Sequence, residues 1–333
     1  MIRYDIKTYK NDGTFKTTIN PNCIMNDISF TENVNGGQGQ MKLNLAVSFA
    51  DNSFQWGDLI KVVLFNDRYK QWKQIYFGFI SQITRIYDAN KGYIQLTCLW
   101  IASLLNQIIF SGSYAWTITS ILNQIITKFN SNYSGLITVG QIDDYPESVS
   151  VEFDNIITCQ KAINMLAETA NYYRFVDSEW KFFFRKKMTQ TNHIVANQDS
   201  VETMSLNYSF ENIVNKLYLE RSWGTLATYQ DATSQSNYWI KEAYEVETTI
   251  ANQTTQDEFG NNYIAQHKDP KNASTIVVNS KYDIESIVPW DTITVVNTEY
   301  SVKNLLIEKI QYTPIRITLT LEENETLWDV INN

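Results

Sequence analysis

The sequence predicts a mainly β protein in which two related β-barrel domains flank a small α+β domain. Three observations carry that prediction. Period-two alternation of apolar and polar residues runs through roughly the first hundred residues and returns in the last hundred. Between them lies a short stretch with helical spacing followed by a tight hairpin. The two ends of the chain also share a weak self-similarity.

Each element has its own signal. Residues 1–20 alternate loosely through Tyr4, Ile6 and Thr8, and the turn Asn11-Asp12-Gly13 makes them a hairpin. Residues 28–49 read as two strands around the turn Asn35-Gly36-Gly37-Gln38-Gly39. The second of them carries Met41, Leu43, Leu45, Val47 and Phe49 on one face. The Gly-Gln-Gly here is a hairpin turn, because no strand-to-helix junction surrounds it to make a phosphate loop. Strands follow at Leu59–Phe65, Ile75–Tyr87 and Tyr93–Leu99, the last two joined by the turn Asp88–Gly92. About seven strands in this span suffice to close a small barrel.

The pattern then changes. Ile101–Phe110 shows a helix-like apolar face. Thr119–Phe129 sets Ile121, Leu122, Ile125, Ile126 and Phe129 at helical spacing. In Thr158–Asn171 the stripe is Ala162, Ile163, Leu166, Ala167 and Ala170, with Thr158 as N-cap. Strands Tyr172–Asp177 and Trp180–Arg185 follow around the turn Ser178-Glu179. Residues 206–223 return to β, with Asn215–Glu220 alternating well, 225–237 read as a polar loop, and Tyr238–Thr249 as a strand. Gln253–Gln266 holds a short helix, and strands close the chain at 274–279, 292–296 and 303–321. The expected domains are therefore a first barrel at 1–100, an α+β domain at 101–205, a second barrel at 206–325 with an inserted loop and short helix at about 250–270, and a tail at 326–333.

The self-similarity can be written residue by residue. Trp56-Gly57-Asp58 leading into Leu59–Val63 matches Pro289-Trp290-Asp291 leading into Thr292–Val296. Gly78–Ile83 then matches Leu305–Ile310, and Tyr93–Cys98 matches Arg316–Leu321. The intervals differ only in turns, where insertions are tolerated. Asp58 is thus expected to occupy the same place in the first barrel as Asp291 in the second.

This order of domains resembles the baseplate hub, or tail-tip hub, proteins of tailed bacteriophages, including the late control protein D family and the N-terminal hub part of siphophage tail-associated proteins. The resemblance rests on FGFISQI followed by YIQLTCLWIASLL, on AINMLAETANYYRFVDSEWKFFFRK, on FENIVNKLYLE, and on SIVPWDTITVV with LLIEKIQYTPIRITLTLEE. It spans nearly the whole chain, and the shared order is more specific than any one motif. One departure is Trp290, where the family's late turn has glycine. The resemblance implies a homotrimer whose six barrels form a ring around a channel. That ring would dock the sixfold tail tube or distal tail proteins with its first barrels and present threefold symmetry to spike, fibre or tip proteins. DNA would pass through during ejection. It also implies a place in the virion, at the tail tip, after assembly in the bacterial cytoplasm.

Composition fits that expectation. Charged residues make 19% of the 333, and Tyr, Phe and Trp number 20, 16 and 9. The net charge of −9 argues against a protein that clings to phosphate backbones, since such affinity comes from clustered Lys and Arg. It suits a neutral-to-acidic lumen, with the basic run Arg185-Lys186-Lys187 turned elsewhere. The N-terminus MIRYDIKTYK has no apolar core and is not a secretory signal, and the mostly apolar run Leu96–Leu105 is about half a membrane span, so no stable membrane insertion is expected. Cys23, Cys98 and Cys159 lie far apart with no CxxC, as free and mostly buried thiols in a reducing compartment would.

No catalytic, cofactor-binding or metal-binding residues are assigned, and no cofactor or enzymatic activity is expected. His193 and His267 stand singly in polar sequence and read as surface or turn residues. HExxH, GxSxG and P-loop motifs are absent. Among the carboxylates, Asp143-Asp144 and Glu322-Glu323-Glu325 sit in turn-like stretches, and Glu152 with Asp154 flanks Phe153 just before the strongest helix, whose N-terminal end they would favour. Tyr172-Tyr173, Trp180, Trp239 and Trp328 read as core or interface residues, although such rings can also stack on sugars. Two alternatives stay open: a receptor- or carbohydrate-binding tail protein, and a cell-wall hydrolase with a carboxylate pair.

Overall fold

A computed structural model of the chain describes residues 3–24, 28–33, 39–46, 54–66, 71–87, 92–133, 135–186, 191–196, 200–205, 208–209, 211–221, 224–272, 274–279, 287–296, 301–313 and 316–322. The first sheet comprises β1 (Arg3–Tyr9), β2 (Phe15–Ile19), β4 (Gln40–Ala46), β5 (Leu59–Asn66), β6 (Gln71–Tyr87) and β7 (Gly92–Trp100), while β3 (Phe30–Asn33) leaves it. Its order is β2-β1-β5-β6-β7-β4, and every pairing is antiparallel. Period-two patterning puts Met41, Leu43, Leu45, Ile60, Val62, Leu96 and Cys98 on the inner face, all buried.

The middle of the chain contributes β8 (Ile109–Thr117), α1 (Ile118–Asn132), β9 (Thr138–Ile142), β10 (Ser148–Thr158), α2 (Cys159–Ala170), β11 (Tyr172–Val176) and β12 (Lys181–Lys186). The expected helix at Ile101–Phe110 is a single 3-10 stretch, Ile101–Asn106, that turns into β8. Both α-helices start where Thr side chains cap them: Thr117 Oγ1 accepts from Ser120 N and Thr158 Oγ1 from Lys161 N. Asn171 ends α2 in the left-handed conformation at φ 54°.

The second sheet is built from β13 (Asn192–Ala196), β14 (Val201–Ser205), β20 (Ser274–Asn279), β21 (Thr292–Val296), β22 (Ser301–Tyr312) and β23 (Arg316–Glu322), with β3 as its seventh strand. Between β14 and β20 lie β15 (Tyr208–Ser209), β16 (Lys216–Arg221), β17 (Thr225–Gln230), α3 (Ala232–Tyr238), β18 (Glu242–Glu247), α4 (Gln253–His267) and β19 (Lys271–Asn272). Lys216–Arg221, read as a strand of the second barrel, instead forms a separate sheet, β17-β16-β18, covered by α4. The stretch read as a polar loop, 225–237, is β17 and α3, capped by Asp231 on Ser234 N. The expected hairpin turns at 34–38 and 88–91, Lys187 and the tail at 326–333 lie outside the described residues.

The fold is thus mainly β, with two half-barrel sheets and few helices. One continuous apolar cluster runs from Ile6 through α1, α2 and the β11–β12 hairpin to Leu321, joining both sheets. Cys98 and Cys159 are buried in it and Cys23 is half-buried, all as free thiols.

Candidate functional site

The feature that sets this chain apart is the way its two sheets repeat each other and meet. In the first, Gly57 N donates to Ile80 O and Ile80 N to Asp58 O. In the second, Trp290 N donates to Ile307 O and Ile307 N to Asp291 O. Asp58 N bonds Gln55 O, and Asp291 N bonds Val288 O. Gly57 and Trp290 share the left-handed conformation, at φ 82° and 75°. A bulge follows in each long strand, between Ile80 and Gln82 in β6 and between Ile307 and Lys309 in β22. Beyond it, Ile83 faces Leu96 as Ile310 faces Leu319. Met41, Leu43 and Leu45 oppose β7 as Ser274, Ile276 and Val278 oppose β23. The strand orders β5-β6-β7-β4 and β21-β22-β23-β20 are therefore equivalent, with Asp58 at the place of Asp291.

Each aspartate is buried and carries one cationic-type partner. Lys16 Nζ lies 2.6 Å from Asp58 Oδ2, and His193 Nε2 lies 2.7 Å from Asp291 Oδ2. The partners come from different flanking strands. Lys16 comes from β2, which reaches β5 only through β1, whereas His193 sits on β13, which pairs directly and in parallel with β21. His193 is consequently buried, not the surface residue its polar neighbourhood suggests. His267 closes α4, half-buried, with its ring stacked on Tyr263.

The sheets meet in two places. First, β3 crosses from the first unit and pairs antiparallel with the outer half of β22, setting Phe30 opposite Tyr312 and Glu32 opposite Ile310. Phe30 packs between Tyr312 and Tyr76, each at 5.0 Å. Glu32 is buried there, and desolvation pushes its carboxyl up to about 8. Asp177 adds to the shift, while the Tyr312 hydroxyl and Lys73 oppose it without cancelling it.

Second, the β11–β12 hairpin is wedged between the sheets. Its turn is fixed by Asp177, whose Oδ1 accepts from Glu179 N and Lys181 N. Trp180 stacks on Phe77 at 3.8 Å and donates its indole N–H to Phe77 O. Gln74 and Ser178 exchange side-chain-to-backbone bonds beside it. On the hairpin's other side, Phe175 and Phe183 receive Trp290, the residue that replaces glycine in the second turn. The exception to the turn pattern thus has a packing reason: its indole docks the second sheet onto the hairpin.

The carboxylates singled out from sequence are dispersed. Asp143 accepts from Arg185 Nε and Lys186 N, so two residues of the basic run are held at the edge of β12. Glu152 sits on β10, not at a helix start, and its N–H bonds Thr249 O. Asp154 is on the same strand, and only its backbone is described. Glu322 ends β23, while Glu323 and Glu325 lie outside the described residues. Tyr172, Tyr173 and Trp180 are core residues, Trp239 is exposed, and Trp328 is outside the described residues.

One cluster has no local signature in the sequence. A cleft of about 360 Å³ between α2, β11, β18 and α4 holds Glu168, Glu247 and Arg174. Burial raises both carboxyls and lowers the guanidinium to about 10, while Glu168 and Arg174 each favour the other's charged form. It has the character of a charge cluster at a packed joint. Among the described residues, no group of three His, Cys, Asp or Glu side chains could hold a metal, and no helix is long and apolar enough to cross a membrane.

No family model and no curated protein matches the sequence. Solved structures do match, over nearly the full length. A tail protein from Neisseria meningitidis MC58 superposes with a TM-score of 0.68 at 11% identity, covering 96% of this chain and 97% of that one. The 43 kDa tail protein of prophage MuSo2 from Shewanella oneidensis gives 0.67 at 13%, covering 96% and 98%. An E. coli component of the type VI secretion system, described as similar to the T4 tail proteins gp27 and gp5, gives 0.54 at 10%, covering 98% and 75%. At such identities the likeness is one of fold: the chain shares the fold of these tail and type VI secretion proteins.

Proposed function

We propose that the chain is a structural hub of a bacteriophage tail tip, acting as a homotrimer without enzymatic activity. The observation that carries this reading is the equivalence of the two sheets, down to the Asp58 and Asp291 turns and the paired bulges. Two like units in one chain let three chains present six like units, so a closed ring can meet a sixfold tube on one side and a threefold tip on the other. The full-length likeness to tail proteins supports the same role. The domain division expected at 1–100, 101–205 and 206–325 belongs to this proposal, except that β13 and β14 count with the second barrel because they pair in its sheet, and the middle domain holds the two barrels at a fixed angle.

In this reading the partners are copies of itself, the tail tube or distal tail proteins above, and spike, fibre or tip proteins below. DNA passes through the lumen only in transit. A lumen without a Lys/Arg band lets it slide, because each phosphate contact would add affinity. In this reading the run Arg185-Lys186-Lys187 faces away from the lumen, and the Arg185 guanidinium is paired locally with Asp143. On and beside the β17-β16-β18 sheet, Trp239, Ile240, Leu226 and Val246 are exposed. That mixed aliphatic and aromatic surface suits a protein neighbour better than a sugar.

Native mass spectrometry of the concentrated protein tests the reading. An assembly of three times the 38.6 kDa chain mass is expected. A stable dimer, a tetramer or a monomer at every concentration contradicts it.

A further inference from the structure

The internal repeat exposes a vacancy. In the second sheet the outer half of β22 is paired on both sides: β23 takes one edge, and β21 followed by β3 takes the other. In the first sheet β7 pairs with β6 from Gly78 to Tyr87, but β5 covers the opposite edge only as far as Phe79. Among the described residues, no strand lies along that edge beyond the Asp58 turn, from Ser81 to Tyr87. This is the place that β3 fills on β22.

Burial shows the consequence. Ile310 and Tyr312 are buried, whereas their equivalents Ile83 and Arg85 are half-buried and exposed. Tyr87, at the end of the same edge, is 75% exposed. An unpaired edge of this length is a template for an added strand.

The repeat also indicates which strand would be added. Gly39 lies so close to Thr31 of β3 that a Cβ on it would overlap the Thr31 backbone. The residue equivalent to Gly39 in the second sheet is Asn272, since Met41 and Ser274 correspond. Asn272 pairs with Tyr208 of β15. The bridge Ile24–Leu45 likewise corresponds to the pair Val201–Val278. So β14 and β15 stand to the second sheet as Ile24 and β3 stand to the first, and β15 is the counterpart of β3. Yet among the described residues β15 pairs only with β19, and reaches no further sheet.

We infer that β15 of one copy adds antiparallel to the open edge of β6 in a second copy, repeating between chains the β3–β22 junction made within each chain. This rests on the trimeric reading. It deepens that reading by naming the contact: every barrel hands one strand to the next, alternately within and between chains, until the ring closes. The register follows from the cis junction. Gln311 opposes Thr31 and Ile310 opposes Glu32, so Thr84 should oppose Tyr208 and Ile83 should oppose Ser209.

Directly opposed antiparallel residues have Cα atoms about 4.5–5.5 Å apart, within disulfide range. The test is a chain carrying Thr84→Cys and Tyr208→Cys, with Cys23→Ser to remove the most accessible native thiol. After mild oxidation of the purified assembly, non-reducing electrophoresis should show a ladder ending at a covalent trimer. Neither single variant should give it, and each should keep the native mass of the parent. A trimer by native mass that yields no 84–208 cross-link, or only an intrachain one, overturns this inference and leaves the trimeric reading standing. A mass other than threefold overturns both. Amide exchange on the unsubstituted protein is independent of the cysteines. Amides of residues 82–87 that do not bond β7 should be protected in the trimer, and fast exchange there contradicts the added strand.

Discussion

At the residue scale, the two aspartate turns and the wedge residues carry predictions of different size. Asp58 accepts both Lys16 and the Gln55 N–H, at 2.6 and 2.7 Å. Asp58→Ala strands a largely buried ammonium and a backbone donor, and should cost about 3 kcal/mol in denaturant unfolding. Asp291→Ala should cost a similar amount through His193. A loss below ~0.5 kcal/mol at either site would show that the turns do not depend on these contacts. Trp290→Gly relieves a left-handed backbone but removes an indole held by Phe175 and Phe183. Relief is worth about 1–2 kcal/mol and buried aromatic packing about 3–5, so net destabilisation is expected. A gain in stability would mean that Trp290 does not dock the second sheet. Glu32 gives a pH dependence. Its folded pKa of about 8 lies above its ordinary value of 4.5, so the folded state holds its proton more tightly. Stability is therefore greatest below the ordinary value and falls as pH rises toward and through 8. Thermal unfolding at pH 5.5 and pH 9 should show this loss, and Glu32→Gln should flatten it. An unchanged pH profile in that variant would remove Glu32 as the cause.

At the element scale, strand pairing decides what sequence patterning can show. The alternation in β4, β5 and β7 and the helical stripe in α2 are visible because one face is buried and the other is not. The repeat was legible to the residue, since the matches Gly78–Ile83 with Leu305–Ile310 and Tyr93–Cys98 with Arg316–Leu321 are the structural ones. What alternation does not encode is the partner. Lys216–Arg221 alternates like any half-buried strand, yet it pairs outside the second sheet, and β3 leaves the first sheet without any local signal. Polar β17 and α3 were unreadable for a related reason: β17 lends only Tyr229 and Ala227 to a small core around Leu217 and Leu219, and α3 buries only Ser234. His193 looked like a surface residue because its burial depends on Asp291, 98 positions away. The close approach of β6 and β7 gives an element-scale prediction. A Cβ on Gly78 would lie 2.2 Å from Leu99 O and 2.8 Å from the Tyr76 hydroxyl. Gly78→Ala should destabilise the protein by about 1–3 kcal/mol, read as a lower denaturant midpoint. A neutral effect would mean that the two strands can separate locally at no cost.

At the scale of the whole molecule, one apolar cluster links both sheets through the β11–β12 wedge, so the angle between them is set by packing and not by a linker. That rigidity is what a symmetry adapter requires, because a loose pair of barrels could not close a ring at a fixed radius. It also explains why the site could not be found by looking for chemistry. The functional property proposed here is the equivalence of two halves, and it lies in hydrogen-bond register rather than in a constellation of reactive groups. The most direct measurement is a reconstruction of the assembled tail tip that resolves this chain. Three copies are expected with their six barrels at one radius, first and second barrels alternating, and β6 of each first barrel carrying a strand from its neighbour. A copy number other than three, or first and second barrels on separate rings, would contradict it.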